Sequence, residues 1–185
     1  MARPQPADPV KLFVAILWSD AGSLGSSLTA LGEQWGEIDF IGPDHPFDLT
    51  GYYEAEMGRG LQRRLISFSR LVPPDILSEA KLRCNEIEDR LSGAGGRPVN
   101  LDIGYLDHNK IVLGSLKQAG QKIYLRDGVY ADLVGRYRSG RYQPFEWTFP
   151  DFRDGRYDAE FSAMRRIYLE RLRARRGRPD TRLSV

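Results

Sequence analysis

An amide and a carboxylate stand two residues apart in the stretch Arg97-Pro98-Val99-Asn100-Leu101-Asp102-Ile103-Gly104-Tyr105-Leu106. The alternation is that of a strand, whose side chains point in turn to opposite faces. Val99, Leu101, Ile103 and Tyr105 form the core-facing set. Asn100, Asp102 and Gly104 form the other, although all three are poor strand formers. A local rule broken inside a strong strand points to a site. Asp102 can act as an acid, a base or a cation-binding group, with Asn100 orienting a ligand beside it. A second pair, Glu54 and Glu56, lies in the irregular, aromatic-rich segment 43–60. If the fold brings Glu56 beside Asp102, two carboxylates from separate segments can divide acid and base roles. The simpler reading of Glu54 and Glu56 is solvated charge on a helical turn. Lys110 is placed to add positive charge, and Tyr52, Tyr53 and Tyr105 to wall the site. Tyr105 turns to the core if the strand stays regular. Asn85 is a further ligand-binding candidate.

These residues depend on elements that the spacing of apolar side chains predicts. Lys11 to Trp18 reads as a strand buried on both faces. Ser19 or Asp20 caps a helix with the stripe Leu24, Leu28, Leu31 and Trp35, stopped by Gly36. Ile38 to Ile41 is a short strand ended by Gly42-Pro43, and Leu61 to Phe68 is another. Pro73-Pro74-Asp75 opens a second helix with the stripe Ile76, Leu77, Ala80, Cys84, Ile87 and Leu91, bordered by Lys81, Asn85 and Glu88. The order strand, helix, strand, strand, helix, strand predicts an α+β domain with a split βαβ, ferredoxin-like core. An antiparallel β-meander follows, with Asp127-Gly128 and Ser139-Gly140 as hairpin turns, and then a final helix near Tyr157–Arg173. The expected organisation is one domain over residues 10–173, with flexible termini at 1–9 and 174–185.

Composition narrows the function classes. At 185 residues and 41% hydrophobic, the chain is long and apolar enough for a proper core. The single cysteine, Cys84, excludes an internal disulfide and suits a reducing, cytoplasmic setting. The longest apolar run, Leu12 to Trp18, is too short to span a bilayer. Eight arginines lie from Arg165 onward against Glu170 and Asp180. That leaves 19 of the 27 basic and 23 of the 25 acidic residues before them, a net of −4. A nucleic-acid binder carries its basic face on the folded module, so nucleic acid is not the expected partner. The spacing of Asp44, His45 and Asp48 is not a metal-ligand pattern, and no metal is assigned. Walker, dinucleotide-binding and nucleophile-elbow motifs do not occur, so no cofactor is named. Two readings remain. One is a protein that binds a small polar ligand, as an enzyme or a binder, around Asn100/Asp102 and the 44–58 loop. The other is a non-catalytic interaction module using the aromatic segment Tyr142 to Phe152 and the Arg-rich C-terminus.

Five segments together resemble a bacterial family, the domain of unknown function 4416. They are Pro46 to Gly58, Lys81 to Glu86, Val99 to Leu106, Ile123 to Ala131 and Gln143 to Asp151. The similarity spans roughly Val10 to Leu172. The family pattern favours proline where Ile103 stands and histidine where Gln121 stands, so no mechanism with a base at position 121 carries over. The resemblance implies a small bacterial protein and transfers no catalytic residue.

Overall fold

In a computed structural model, residues 3–93 and 96–176 are described. Among them are eight strands and five α-helices. The strands are β1 (Val10–Trp18), β2 (Ile38–Pro46), β3 (Gln62–Val72), β4 (Val99–Leu106), β5 (Lys110–Ser115), β6 (Ile123–Arg126), β7 (Val129–Arg138) and β8 (Arg141–Pro144). The helices are α1 (Ala21–Trp35), α2 (Glu54–Met57), α3 (Leu77–Leu91), α4 (Pro150–Arg153) and α5 (Asp158–Arg176). All strands join one antiparallel sheet in the order β2-β3-β1-β4-β5-β7-β6, with β8 also on β7.

β1 is central because its sequence is apolar on both faces. Val10, Leu12, Val14 and Ile16 enter the core under α1 and α3 with Leu24, Leu31, Ala80, Cys84 and Ile87. Phe13 and Ala15 enter a second core under α5 with Tyr157, Phe161, Met164, Tyr168 and Leu172. Asp20 caps α1 by accepting a hydrogen bond from the Ser23 N–H at 2.9 Å. Gly36, at φ 87°, ends the helix in a conformation glycine tolerates best.

Strand β4 is incompletely covered by its neighbour. Only Gly104, Tyr105 and Leu106 pair with β5. Farther along, two side chains of α3 replace the missing strand. Lys81 Nζ donates to the Leu101 carbonyl at 3.1 Å, and the Leu101 N–H donates to Glu88 Oε1 at 2.6 Å. Both side chains are buried, which the helix border Lys81, Asn85, Glu88 did not reveal. Burial drives the Glu88 carboxyl upward from its ordinary range, while Lys81, the Leu101 N–H and Arg97 pull it back.

The fold corrects several expectations. β2 does not stop at Gly42-Pro43 but runs to Pro46, with breaks in register between Ile38 and Phe40 and between Ile41 and Asp44. As an edge strand it tolerates proline, whose missing N–H costs no ladder bond on the open side. The later strands are not a simple meander. β7 pairs β5 along Tyr130–Arg136, while β6 and β8 take its other edge. Both hairpin turns hold residues at positive φ, Asp127 and Gly128 in one, Ser139 and Gly140 in the other. Residues 174–176, expected to be loose, continue α5, while 1–2 and 177–185 lie outside the described residues.

Gly104 also receives a different explanation from the one its sequence context suggests. A Cβ there would stand 2.4 Å from the Val112 carbonyl oxygen and 3.0 Å from the Phe13 ring. The glycine is required by close packing of β4 on β5, not by a ligand. Gly104→Ala is expected to cost about 3 kcal/mol, at the upper end for overpacking in a rigid core, measured by urea denaturation.

Candidate functional site

The site begins with strand register. Arg63 of β3, Leu17 of β1 and Asn100 of β4 lie in one row across the sheet, and Leu65, Ala15 and Asp102 in the next. Arg63 occupies a position that matches Leu65 in parity, so its charge is directed inward. Ala15 is small enough to let the guanidinium cross to Asp102, with Nη2 3.2 Å from Oδ2. Its other arm, Nη1, stands 3.3 Å from Asp151 Oδ2 of α4. Asp151 in turn accepts from the Tyr157 hydroxyl at 3.0 Å. Phe47 and Phe152 bracket the guanidinium, with ring centroids at 4.8 and 5.7 Å. Burial works against the Arg63 charge, but Asp102 and Asp151 outweigh it and hold the group above its ordinary value.

Residues 47–61 form a strap over this row. Phe47 N–H donates to the Leu61 carbonyl at 2.9 Å and closes the strap at its base. Met57 and Leu61 bury against Leu17, with Phe47 and Tyr53 packed beside them. Burial and then the nearby Asp102 charge push the Tyr53 phenol well above its ordinary range. At the outer edge Lys117 Nζ donates to the Tyr52 hydroxyl at 2.6 Å and lies 4.6 Å from that ring's centroid.

The arrangement leaves polar atoms unused. Arg63 Nε and Asn100 Nδ2 are buried and lack a partner among the described residues. Asp102 is 24% exposed, the one member of the row with a solvent opening. A buried carboxylate oxygen, Asp132 Oδ1, is in the same condition. Asp132 pairs in register with Leu113, and Leu113 with Gly104, so it shares a sheet face with Asp102. Its other oxygen is 3.3 Å from Lys122 Nζ, which donates to Ser115 Oγ at 2.8 Å.

Of the residues singled out from sequence, Asp102, Asn100 and Tyr53 come together. Tyr52 sits beside Tyr53 at the rim, 4.9 Å between ring centroids, and is exposed. Glu56 does not join Asp102. It pairs with Arg97 at 3.0 Å, and Arg97 also binds buried Glu88. Glu56 instead opens on a cleft of about 560 Å³ beside Ser19, Ser23 and Pro98. Lys110 is held by Asp107, at the far end of β4 from Asn100. Tyr105 is buried in the core beneath α1 and α3, on the opposite face, where the strand's alternation sends it. Asn85 belongs to α3, which covers that same opposite face.

Arg63, Asp151, Lys122 and Asp132 were not singled out from sequence. The available signal was a charge at a core-parity position: Arg63 between Leu61 and Leu65, Asp132 two residues before Val134. Among the described residues no group of three His, Cys, Asp or Glu side chains could hold a metal ion. No described helix is long and apolar enough to cross a membrane. The aromatic run chiefly fastens the segment after β8: Tyr142 and Phe152 are core residues, and Trp147 Nε1 donates to the Leu133 carbonyl at 2.9 Å.

The model of the family described as domain of unknown function (DUF4416) matches residues 8–168. The chain belongs to this family. No curated protein and no solved structure matches it. The matched span contains every residue of the Arg63 row, the strap, Asp132 and Asp151.

Two outcomes test this description. Arg63→Met should cost about 3–5 kcal/mol in denaturant unfolding, because it leaves Asp151 buried without its cation; adding Asp151→Asn should recover part of the loss. Burial pushes the Cys84 thiol up to about 12. A thiol reagent at pH 8 should therefore label Cys84 only after denaturation, and rapid labelling of the folded protein would contradict its burial on the inner face of α3.

Proposed function

We propose that this DUF4416 protein binds a small, uncharged polar ligand on the sheet face beneath the 47–61 strap. Asp102 is the principal acceptor, and Asn100 the adjacent donor. The observation that carries this reading is the pair of unpartnered donors, Asn100 Nδ2 and Arg63 Nε, in one strand row beside a partly open carboxylate. Buried polar groups are normally satisfied, so unpaired donors beside an opening favour a bound partner. Arg63 holds the Asp102 carboxylate in place through their ion pair and serves as a positioning residue. Tyr53 and Phe47 supply apolar walls. Whether chemistry follows binding depends on a reacting group in the ligand; Asp102 is the residue placed to act as its base.

The rest of the chain is read as the support of that site. The order β2-β3-β1-β4, with α1 and α3 between its strands in sequence, favours a split βαβ unit as the core of the sheet. The wing of β5 to β8 then extends this unit. The lone cysteine and the family resemblance favour a bacterial cytoplasm.

A thermal-shift screen of neutral polar compounds (carboxamides, nucleobases, sugars and polyols) tests the proposal. A binder raises the melting temperature by mass action. Asp102→Asn should remove that shift while leaving the unliganded melting temperature within a few degrees, since Arg63 retains Asp151. A shift of undiminished size in the variant would refute the role of Asp102.

A further inference from the structure

The Asp132 centre carries the reading of the ligand further. We infer that the ligand is a neutral polyhydroxylated molecule, a sugar or polyol, engaged by two donor–acceptor pairs on one sheet face: Asn100 with Asp102, and Lys122 with Asp132. This rests on the ligand site proposed above.

Register joins the two pairs. From the row Gly104–Leu113–Asp132, moving two residues along β4 leads to Asp102 and two along β5 leads to Ser115, in the same direction and on the same face. Asp102 and Asp132 lie on strands separated by β5, roughly 10 Å apart at about 4.8 Å per strand, a span that one sugar ring with a hydrogen bond at each edge covers. The contact chain agrees. Lys117, which follows Ser115, holds Tyr52; Tyr52 packs on Tyr53; and Tyr53 senses the Asp102 charge.

Each pair offers the same chemistry. Asn100 Nδ2 is an unused donor beside the Asp102 carboxylate. Lys122 has three N–H donors, one given to Ser115 Oγ and one directed at Asp132 Oδ2, while Asp132 Oδ1 is an unused acceptor on a residue 3% exposed. A hydroxyl group donates once and accepts in return, so one hydroxyl satisfies each pair. A carboxamide or a nucleobase edge satisfies the first pair but does not reach the second.

Charge decides against an anion. Asp102, Asp132 and Asp151 face Arg63 and Lys122, leaving one negative charge among the inner groups; exposed Lys117 at the rim brings the sum only to zero. Phosphate sites are built on surplus positive charge, which this face does not have. Tyr53, partly buried beside the row, adds an aromatic ring of the kind that packs on the C–H surface of a sugar.

The test uses the full chain and defined probes. Glucose, ribose and inositol at tens of millimolar are compared with inorganic phosphate and acetamide, by thermal shift and by amide chemical-shift mapping. The expected result is a shift with at least one sugar or polyol, none with phosphate, and perturbed amides at both Asp102 and the Ser115–Lys122–Asp132 group. Asp132→Asn should then weaken binding at least about tenfold, the loss of a charged hydrogen-bond acceptor. The mapping on the unaltered chain decides the matter even where that variant folds poorly. Binding of acetamide or a nucleobase that depends on Asp102 but leaves the Asp132 group unperturbed overturns this inference and leaves the first proposal standing. Failure of every sugar and polyol also overturns it. Loss of dependence on Asp102 overturns both.

Discussion

A guanidinium with no access to water must be neutralised by groups brought to it from elsewhere in the chain. Arg63 imposes that requirement on this fold. It draws one carboxylate from β4, Asp102, and another from the first turn of α4, Asp151, nearly fifty residues later. The second contact draws the segment after β8 back over the sheet, and Phe47 of the strap packs against the same guanidinium. A buried ion pair is weak evidence for stability, because desolvation offsets much of its attraction. Its value here is geometric: it holds the Asp102 carboxylate in a fixed place at the one opening of an otherwise closed row.

A similar constraint acts on the other face. β4 loses its strand partner beyond Gly104, and backbone groups there would be orphaned. Lys81 and Glu88 meet the Leu101 carbonyl and N–H, and Arg97 completes the charge of Glu88 while also holding Glu56 of the strap. The strap is thereby tied to the same strand whose opposite face carries Asn100 and Asp102. The two faces of β4 are coupled through one network of ions rather than through packing alone.

Much of this architecture was legible from residue order. The doubly apolar β1, the capped α1, the stripe of α3 and the two glycine-bearing hairpins all appear where local pattern places them, because periodicity and turn chemistry are short-range properties. The extent of β2 was hidden by Gly42-Pro43, since a proline on an edge strand looks the same in sequence as a proline that ends one. The placement of β6 and β8 on a single edge of β7 was also hidden, because hairpin turns specify which strands are consecutive but not which edge the preceding strand occupies.

The site divides along the same line. Sequence alone determined that Asn100 and Asp102 share a strand face, because side-chain alternation allows no other outcome, and that Tyr105 faces away from them. It also placed an aromatic segment that could meet them. Tertiary structure decided which groups actually do. Strand register put Arg63 and Asn100 in one row, and a chain reversal brought in Asp151. The insertion of β7 beside β5 set Asp132 and Lys122 on the same face, while Lys110 and Glu56 found nearer partners. Charges choose among partners by distance in space, and distance in space between separate strands is a property of their pairing, which no single segment contains.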